Sequence, residues 1–144
     1  MSVFRSMQIS ASGLSLERLK MDVISTNIAN INTTRGADGQ PYRRKVVTFS
    51  ENLEKEINRI NGISRKVSSG VKVDEILEDD SEFRLIFDPT HPDADENGYV
   101  QMPNINMVDE MISLINTQRA YEANVTTLNA NKAILKKALD ISKG

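Results

Sequence analysis

The longest uninterrupted helical pattern in this 144-residue chain lies at its C-terminal end. Ten positions from Met107 to Leu139 follow the alternating three- and four-residue spacing of a coiled-coil seam, and eight are apolar. These eight are Met107, Met111, Leu114, Tyr121, Val125, Leu128, Leu135 and Leu139. No Gly or Pro interrupts the run, and about 35 residues at roughly 1.5 Å each make a rod of about 50 Å. We therefore predict a C-terminal rod helix within 104–144, capped by Asn106 with Asp109 three residues later.

A second helical pattern covers residues 4–31, where six of eight positions at the same spacing are apolar. These six are Met7, Leu14, Met21, Ile24, Ile28 and Ile31, and a separate apolar row holds Ile9, Leu16, Leu19 and Val23. The C-terminal segment also has an adjacent row, Val108, Ile112 and Ile115. A helix that is apolar on more than one face is normally buried by more than one neighbour. We therefore expect both helices to bury surface against other chains.

The middle of the chain, residues 33–103, has short alternating runs typical of strands instead of helical spacing. The predicted strands are Arg44–Phe49, Val71–Ile76, Phe83–Phe87 and Tyr99–Met102, and residues 50–61 are expected to form a short helix or a loop. The sequence thus predicts an α+β fold in three segments. These are an N-terminal rod helix (1–32), a small antiparallel β subdomain with loops (33–103) and the C-terminal rod helix (104–144).

Composition excludes several classes of function. The chain has no Cys, so disulfides, thiolate metal sites and Cys nucleophiles are absent. A net charge of −2 gives no reason to expect a nucleic-acid partner. No window is apolar enough for a transmembrane helix, so we expect no membrane insertion. The N-terminus lacks the features of a cleaved signal peptide, which predicts either an internal protein or export by another route.

The stretch 93–104 resembles the first half of a calcium-binding EF-hand loop, with Asp93, Asp95, Asn97 and then Gly98. An EF-hand needs a bidentate Glu at its twelfth position, where this chain has Asn104. Two prolines upstream, in 88–92, also oppose an incoming helix. The pattern therefore favours an Asx/Pro/Gly turn, with weak adventitious calcium binding as the alternative.

No residue set predicts catalysis, a metal site or a cofactor. His91 is the only His, no nucleophile motif accompanies it, and we expect it to make hydrogen bonds in a loop. The acidic run 75–82 is typical of a solvated turn, because glycosidase carboxylates are held apart in a cleft. The basic cluster 43–45 is expected to pair with acidic neighbours across a strand or an interface. We therefore predict that the protein is not an enzyme.

Several stretches are more specific than periodicity. Ser25–Thr33 contains Asn-Ile-Ala-Asn followed by Thr33, and resembles the N-I-A-N-x-x-T signature of bacterial flagellar rod and hook proteins. Residues 34–44, 88–104 and 119–125 resemble segments of the proximal rod subunits in that family. Gly39-Gln40 stands where Gly-Gly is usual before Pro-Tyr, a departure that concerns only the turn. The resemblance covers nearly the whole chain, except for about 50–80.

The resemblance implies a structural subunit of the flagellar basal-body rod, the drive shaft across the periplasm. It implies copies of the same chain, other rod subunits and the flagellar export apparatus as partners, with type III export replacing a cleaved signal peptide. The alternative is a coiled-coil adaptor or secreted interaction protein that does not polymerise.

If the chain runs out along one helix and back along the other, the helices pair antiparallel. The predicted pairing and assembly positions are Leu14, Met21, Ile24, Ile28, Met111, Leu114, Tyr121, Val125, Leu128 and Leu135. Asn27, Asn30 and Thr33 are expected to satisfy backbone groups at the end of the first helix. Arg119, Asn124 and Asn27 are expected to face neighbouring subunits.

Overall fold

The computed structural model describes residues 3–36, 38–57 and 64–143. Its elements are α1 (Val3–Ala29), β1 (Lys45–Ile57), β2 (Ser64–Glu78), β3 (Arg84–Phe87), β4 (Tyr99–Met102) and α2 (Met107–Lys143). Both predicted terminal helices are therefore present, and two small sheets lie between them in sequence, as the α+β prediction required. None of the helices in these ranges combines the length and the apolar composition that crossing a membrane requires.

The start of α2 confirms the predicted cap. The Val108 N–H donates to Asn106 Oδ1 at 3.0 Å, which satisfies one of the free N–H groups of the first turn. The Glu110 N–H donates to the Asn106 carbonyl at 3.0 Å, which begins the helical ladder. Asp109 and Glu110 place negative charge in the first turn, where the helix dipole favours it.

β1 and β2 form a long two-stranded sheet. The Thr48 hydroxyl donates to the Glu75 carbonyl at 2.9 Å, and the Ser50 hydroxyl donates to Asp74 Oδ1 at 2.9 Å. Partners on β2 move backwards as β1 advances, so the strands are antiparallel. The helix-or-loop prediction for 50–61 is wrong over 50–57, which continue β1, because pairing with β2 outweighs the low strand propensity of the glutamates there. Residues 58–61 lie outside the described ranges.

β3 and β4 form a second antiparallel sheet, with Arg84 opposite Met102 and Phe87 opposite Tyr99. This short sheet confirms the two strands predicted at Phe83–Phe87 and Tyr99–Met102. The turn between the strands contains Gly98, whose φ of +83° is readily adopted only by glycine.

The chain divides into two compact units. The first unit contains Met1–Leu19, Thr48–Glu75 and Thr117–Gly144; the second contains Lys20–Val47 and Ile76–Asn116. Among the described apolar residues, Leu16 is buried in the first unit, and Val23, Ile24, Val47, Val100 and Ile105 are buried in the second. The division of the sequence into 1–32, 33–103 and 104–144 stays a prediction.

Candidate functional site

The second unit is organised around Asn27, in the last turn of α1. Its side chain is 1% exposed and makes four hydrogen bonds. Asn27 Oδ1 accepts from the Lys45 N–H at 2.9 Å and from the Tyr42 hydroxyl at 3.1 Å. Asn27 Nδ2 donates to the Lys45 carbonyl at 2.9 Å and to Glu110 Oε2 at 3.1 Å. The amide bonds both backbone groups of Lys45, as a neighbouring strand would, and therefore fixes the start of β1 on α1.

Glu110 joins α2 to the same cluster. Its side chain is 1% exposed, and Oε1 accepts from Arg44 Nε at 2.7 Å. Arg44 Nη1 also lies 3.3 Å from Asp79 Oδ2, and Arg44 N–H donates to Asn104 Oδ1 at 2.8 Å. A buried carboxylate is costly unless it is paired and hydrogen-bonded, and Glu110 is both. We call Asn27, Tyr42, Arg44 and Glu110 the signature cluster.

The charges of this cluster shift the ionisation of its members. Burial, followed by the negative charges of Glu78 and Glu110, raises the pKa of Tyr42. Burial alone lowers the pKa of Arg44, but the hydrogen bonds and charges of Glu110 and Asp79 outweigh it and raise the pKa. The Ser81 backbone N–H and hydroxyl, followed by Arg44, lower the pKa of Asp79. These directions favour a protonated Tyr42, a charged Arg44 and an ionised Asp79 at neutral pH.

In the first unit, α1 and α2 pack through small and polar residues. Asn131 Nδ2 donates to the Ser6 hydroxyl at 2.9 Å. A Cβ on Gly13 would lie 3.0 Å from Asn124 Nδ2, so the absence of a side chain at Gly13 accommodates the amide. Ser6 contacts Asn131, and Gly13, one heptad further along α1, contacts Asn124, one heptad earlier on α2. The helices therefore pair antiparallel, as predicted.

The β1–β2 hairpin is held on α1 at Gly70. The Val71 N–H donates to Ser12 Oγ at 3.1 Å, and the Ser12 hydroxyl donates to the Ile9 carbonyl at 2.7 Å. A Cβ on Gly70 would overlap the Ser12 hydroxyl and lie 3.3 Å from Ile9 Cα. Gly70 also has a φ of +108°, which disfavours any other residue. The strand therefore approaches the helix this closely because residue 70 is glycine.

The predicted pairing positions differ in burial. Ile24 is buried; Leu14, Met21, Ile28, Leu114, Tyr121, Val125, Leu128 and Leu135 are half-buried; Met111 is exposed. Partial burial leaves part of these side chains free for another molecule, and their roles in assembly stay predictions. Eight large apolar side chains of the described part of α2 are exposed: Met107, Val108, Met111, Ile112, Ile115, Ile134, Leu139 and Ile141.

Asn30 and Thr33 act at the end of α1. Asn30 Nδ2 donates to the Thr26 carbonyl at 2.9 Å, and the Thr33 hydroxyl donates to Asn30 Oδ1 at 3.2 Å. Asn27 does not cap the helix and does not face outwards, because its amide is used by Lys45 and Glu110. The expectation that it meets neighbouring subunits is therefore wrong.

Arg119 and Asn124 were expected to contact other subunits. Arg119 is exposed, and its role stays a prediction. Asn124 is half-buried with its amide against Gly13 of the same chain, which accounts for at least one of its contacts.

The stretch with EF-hand-like spacing forms turns. Asp95 Oδ1 accepts from the Asn97 N–H at 2.9 Å and from the Tyr99 N–H at 2.8 Å. Asp93 Oδ2 accepts from the Thr34 hydroxyl at 2.8 Å. His91 Nδ1 accepts from the Asp93 N–H at 3.1 Å, the loop role expected for this residue. These acids therefore hold the polypeptide in the turn that leads to β4; within the described residues no three potential metal ligands cluster.

Sequence reasoning missed Glu110, Tyr42 and Gly70 as structural determinants. It did anticipate that the basic cluster would meet acidic neighbours, as Arg44 does. No sequence signal pointed to Glu110, because Asp109 next to it is also a first-turn carboxylate, and only the structure shows that one is buried and the other exposed. For Gly70, the signal was an isolated glycine within an alternating strand pattern, which often marks a close backbone approach.

Comparison with known proteins gives two family matches and several relatives that match over nearly their full length. Residues 7–37 match the family described as flagella basal body rod protein, and residues 96–141 match the flagellar basal body rod FlgEFG protein C-terminal family. The chain is 47% identical to flagellar basal-body rod protein FlgC of Bacillus subtilis, over 99% of this chain and 100% of the relative.

Two further relatives carry the same name. Identity is 40% with FlgC of Borreliella burgdorferi, over 100% of both chains. It is 33% with FlgC of Salmonella typhimurium, over 99% of this chain and 100% of the relative. Two members of the signature cluster, Asn27 and Glu110, lie within the ranges matched by the two families. The chain belongs to the FlgC family of flagellar basal-body rod proteins.

Proposed function

We propose that this chain is a structural subunit of the bacterial flagellar basal-body rod and polymerises through its terminal helices. The observation that carries the proposal is an exposed apolar patch in the first turns of α2, formed by Met107, Val108, Met111, Ile112 and Ile115. Three further exposed apolar side chains, Ile134, Leu139 and Ile141, lie near the C-terminal end of the helix. Scattered exposed apolar residues are normal on a monomer, whereas a contiguous apolar patch is typical of an interaction surface. Full-length similarity to rod proteins supports the same role.

The proposed mechanism separates two tasks. The signature cluster and the Gly70 contact hold each unit in one conformation, which a stiff shaft requires. The half-buried seam residues and the exposed α2 rows then bury surface against neighbouring subunits, both copies of this chain and other rod proteins. The subunit acts by position and rigidity.

The site of action follows from the same proposal. The subunit would work in the rod within the periplasmic space, after passage through the flagellar export apparatus without removal of a signal peptide. Fractionation of basal bodies, followed by determination of the mature N-terminus, tests both points. An N-terminus lacking the first residues beyond Met1 would contradict uncleaved export.

The direct test is Leu128→Asp. Leu128 is half-buried on the seam, and a carboxylate there would be desolvated in any helix–helix contact, so rod incorporation and swimming should be lost. Asn129→Asp, at the next and exposed position, introduces the same group and should leave swimming unchanged. Normal motility of the Leu128→Asp strain would contradict assembly through this seam. A basal-body fraction without the native chain would favour the non-polymerising alternative.

A further inference from the structure

The β3–β4 sheet has two faces of different burial. Cross-strand partners share a face, so Leu85 and Phe87 lie with Gln101 and Tyr99, and Ile86 lies with Val100 on the other side. Val100 is 2% and Ile86 is 38% exposed, whereas Leu85 is 64% and Phe87 is 63% exposed. The outer face thus consists largely of uncovered apolar side chains.

This outer face is preformed. The Phe87 and Tyr99 rings meet edge-to-face, with centroids 5.3 Å apart. The Phe87 ring also packs over Gly98, where a Cβ would lie 3.0 Å from Phe87 Cε2. A two-stranded sheet is marginally stable in water unless a third strand or a helix covers its apolar face. The described residues therefore present a rigid aromatic surface of the kind that a helix covers.

The C-terminal end of α2 is an apolar helix surface without a cover. Ile134, Leu139 and Ile141 are exposed, Ile141 at 81%. Ile134, Lys137 and Ile141 follow helical three- and four-residue spacing and therefore share one face. Lys136, which is also exposed, lies beside that face.

Charge distinguishes the two surfaces. The sequence of the first unit, which contains this end of α2, has 12 basic and 8 acidic residues, a net charge of +4. The sequence of the second unit, which contains the β3–β4 sheet, has 6 basic and 12 acidic residues, a net charge of −6. Together they give the −2 of the whole chain. The small net charge of the chain therefore hides a strong segregation of charge.

We infer that the outer face of the β3–β4 sheet binds the C-terminal end of α2 from a second copy of this chain. Ile134 and Ile141 of one copy would cover Leu85, Phe87 and Tyr99 of the next. The lysines on the helix would lie over the acidic turn that follows, where Glu96 is exposed.

Charge complementarity favours a second copy as the partner. The basic end of α2 attracts the acidic unit that carries the β3–β4 sheet of the next copy, whereas two helix ends or two sheets repel each other. Such a contact is heterologous and leaves one sheet and one helix end free in every pair, so it can repeat along an assembly. The inference rests on the proposed function and names the contact through which copies would join.

A cysteine pair tests the contact, since the chain has no native Cys. Phe87→Cys and Ile141→Cys are combined in one chain that replaces the native one in flagellated cells, and basal bodies are oxidised. The control pair is Phe87→Cys with Asn129→Cys, because Asn129 is exposed on another face of α2. A disulfide needs Cα atoms within about 7 Å, so we expect at least about tenfold more of the reducible multimer ladder from the Phe87 and Ile141 pair than from the control pair.

The outcomes separate the two proposals. If the Phe87→Cys, Ile141→Cys chain is present in the basal bodies of swimming cells but gives no ladder, the docking inference is overturned and the proposed rod function stands. A disulfide to a protein of different mass would overturn the choice of a second copy. Absence of the native chain from basal bodies would overturn both.

Charge reversal in the purified full-length chain gives a measurement that does not depend on the cysteines. Lys136→Glu with Lys137→Glu should weaken concentration-dependent association in low salt by roughly threefold to tenfold, and Glu96→Lys should restore part of it. Lys136→Arg with Lys137→Arg retains the charges and should associate normally. The difference should vanish near about 0.5 M salt, where the Debye length is short. Equal association of the Glu and Arg variants in low salt would overturn the inference.

Discussion

The two units of this chain are held together in different ways. In the second unit, a buried amide and a buried carboxylate satisfy each other and tie α1, β1 and α2 together. In the first unit, the contacts are close approaches at Gly13 and Gly70 and single hydrogen bonds to serines. Among the described residues, five of the six buried hydrophobic side chains lie in the second unit.

The difference indicates which unit is specified by its own contacts. A satisfied polar cluster beside a hydrophobic core specifies one arrangement. Glycine contacts bring backbones together but bury little apolar area. We therefore expect the second unit to be the more stable one in the isolated chain, although both units retain exposed apolar side chains that assembly would bury.

The largest effect should come from Glu110→Ala, which removes the centre of the signature cluster. Arg44 and the Asn27 amide would lose their partner in a buried position, and we expect a loss of about 3 to 4 kcal/mol in unfolding free energy. Amide hydrogen exchange should rise first in the second unit. Asp109→Ala removes a neighbouring first-turn carboxylate that is exposed and should cost only about 0.5 kcal/mol. Equal costs for both variants would mean that the cluster does not hold the unit.

The corresponding change in the first unit is Gly70→Ala. The new Cβ would overlap Ser12 and also force a positive φ on alanine, and we expect a loss of about 2 to 3 kcal/mol. Gly39→Ala separates the two causes, because Gly39 has a φ of +79° but nothing lies within 4 Å of its added Cβ. The Gly39 variant should lose about 1 kcal/mol. Hydrogen exchange that rises in the second unit on Gly70→Ala would break the distinction between the units.

A smaller effect is expected from Asn106→Ala, which removes the cap of α2. The Val108 N–H would lose its acceptor, and we expect a loss of about 1 kcal/mol by thermal or denaturant unfolding. Asn106→Ser supplies another capping oxygen and should recover most of the loss. If amide exchange rises only near the start of α2, the adjacent signature cluster resists fraying of the helix. That result would strengthen the contrast between the two units.

The smallest effect concerns alkaline pH. The pKa of Tyr42 is raised in the folded state, so the stability linked to its neutral form is fully present below about pH 10, the ordinary tyrosine value. That stability is lost as pH rises from there through the raised pKa, because only the unfolded chain then releases the proton. Tyr42→Phe should lose about 0.5 kcal/mol at neutral pH and show a smaller further loss above pH ~10. Parallel pH profiles for both proteins would contradict a role for this hydroxyl.

Local patterns in the sequence predicted most of the elements. The heptad spacing of α2, its Asn106 cap and the alternation in β3 were sufficient because each depends on near neighbours. The extension of β1 past Phe49 was not predictable in this way, since its glutamates disfavour a strand and only pairing with β2 places them in one.

The site was less predictable, because its members are far apart in sequence. Asn27 was recognised as a signature residue, but its partners Lys45 and Glu110 follow from the mutual placement of α1, β1 and α2. Glu110 itself resembles an ordinary first-turn carboxylate. Nothing local distinguishes it from Asp109 next to it, although one is buried and the other exposed.

The register of the helices limits how the chain can change length. One heptad separates Ser6 from Gly13 on α1, and one heptad separates their partners Asn124 and Asn131 on α2. One inserted residue in either interval would turn the helix beyond it by about 100° and separate one of the two contacts. Insertions and deletions should therefore be rejected in this part of the helices and tolerated better between the strands.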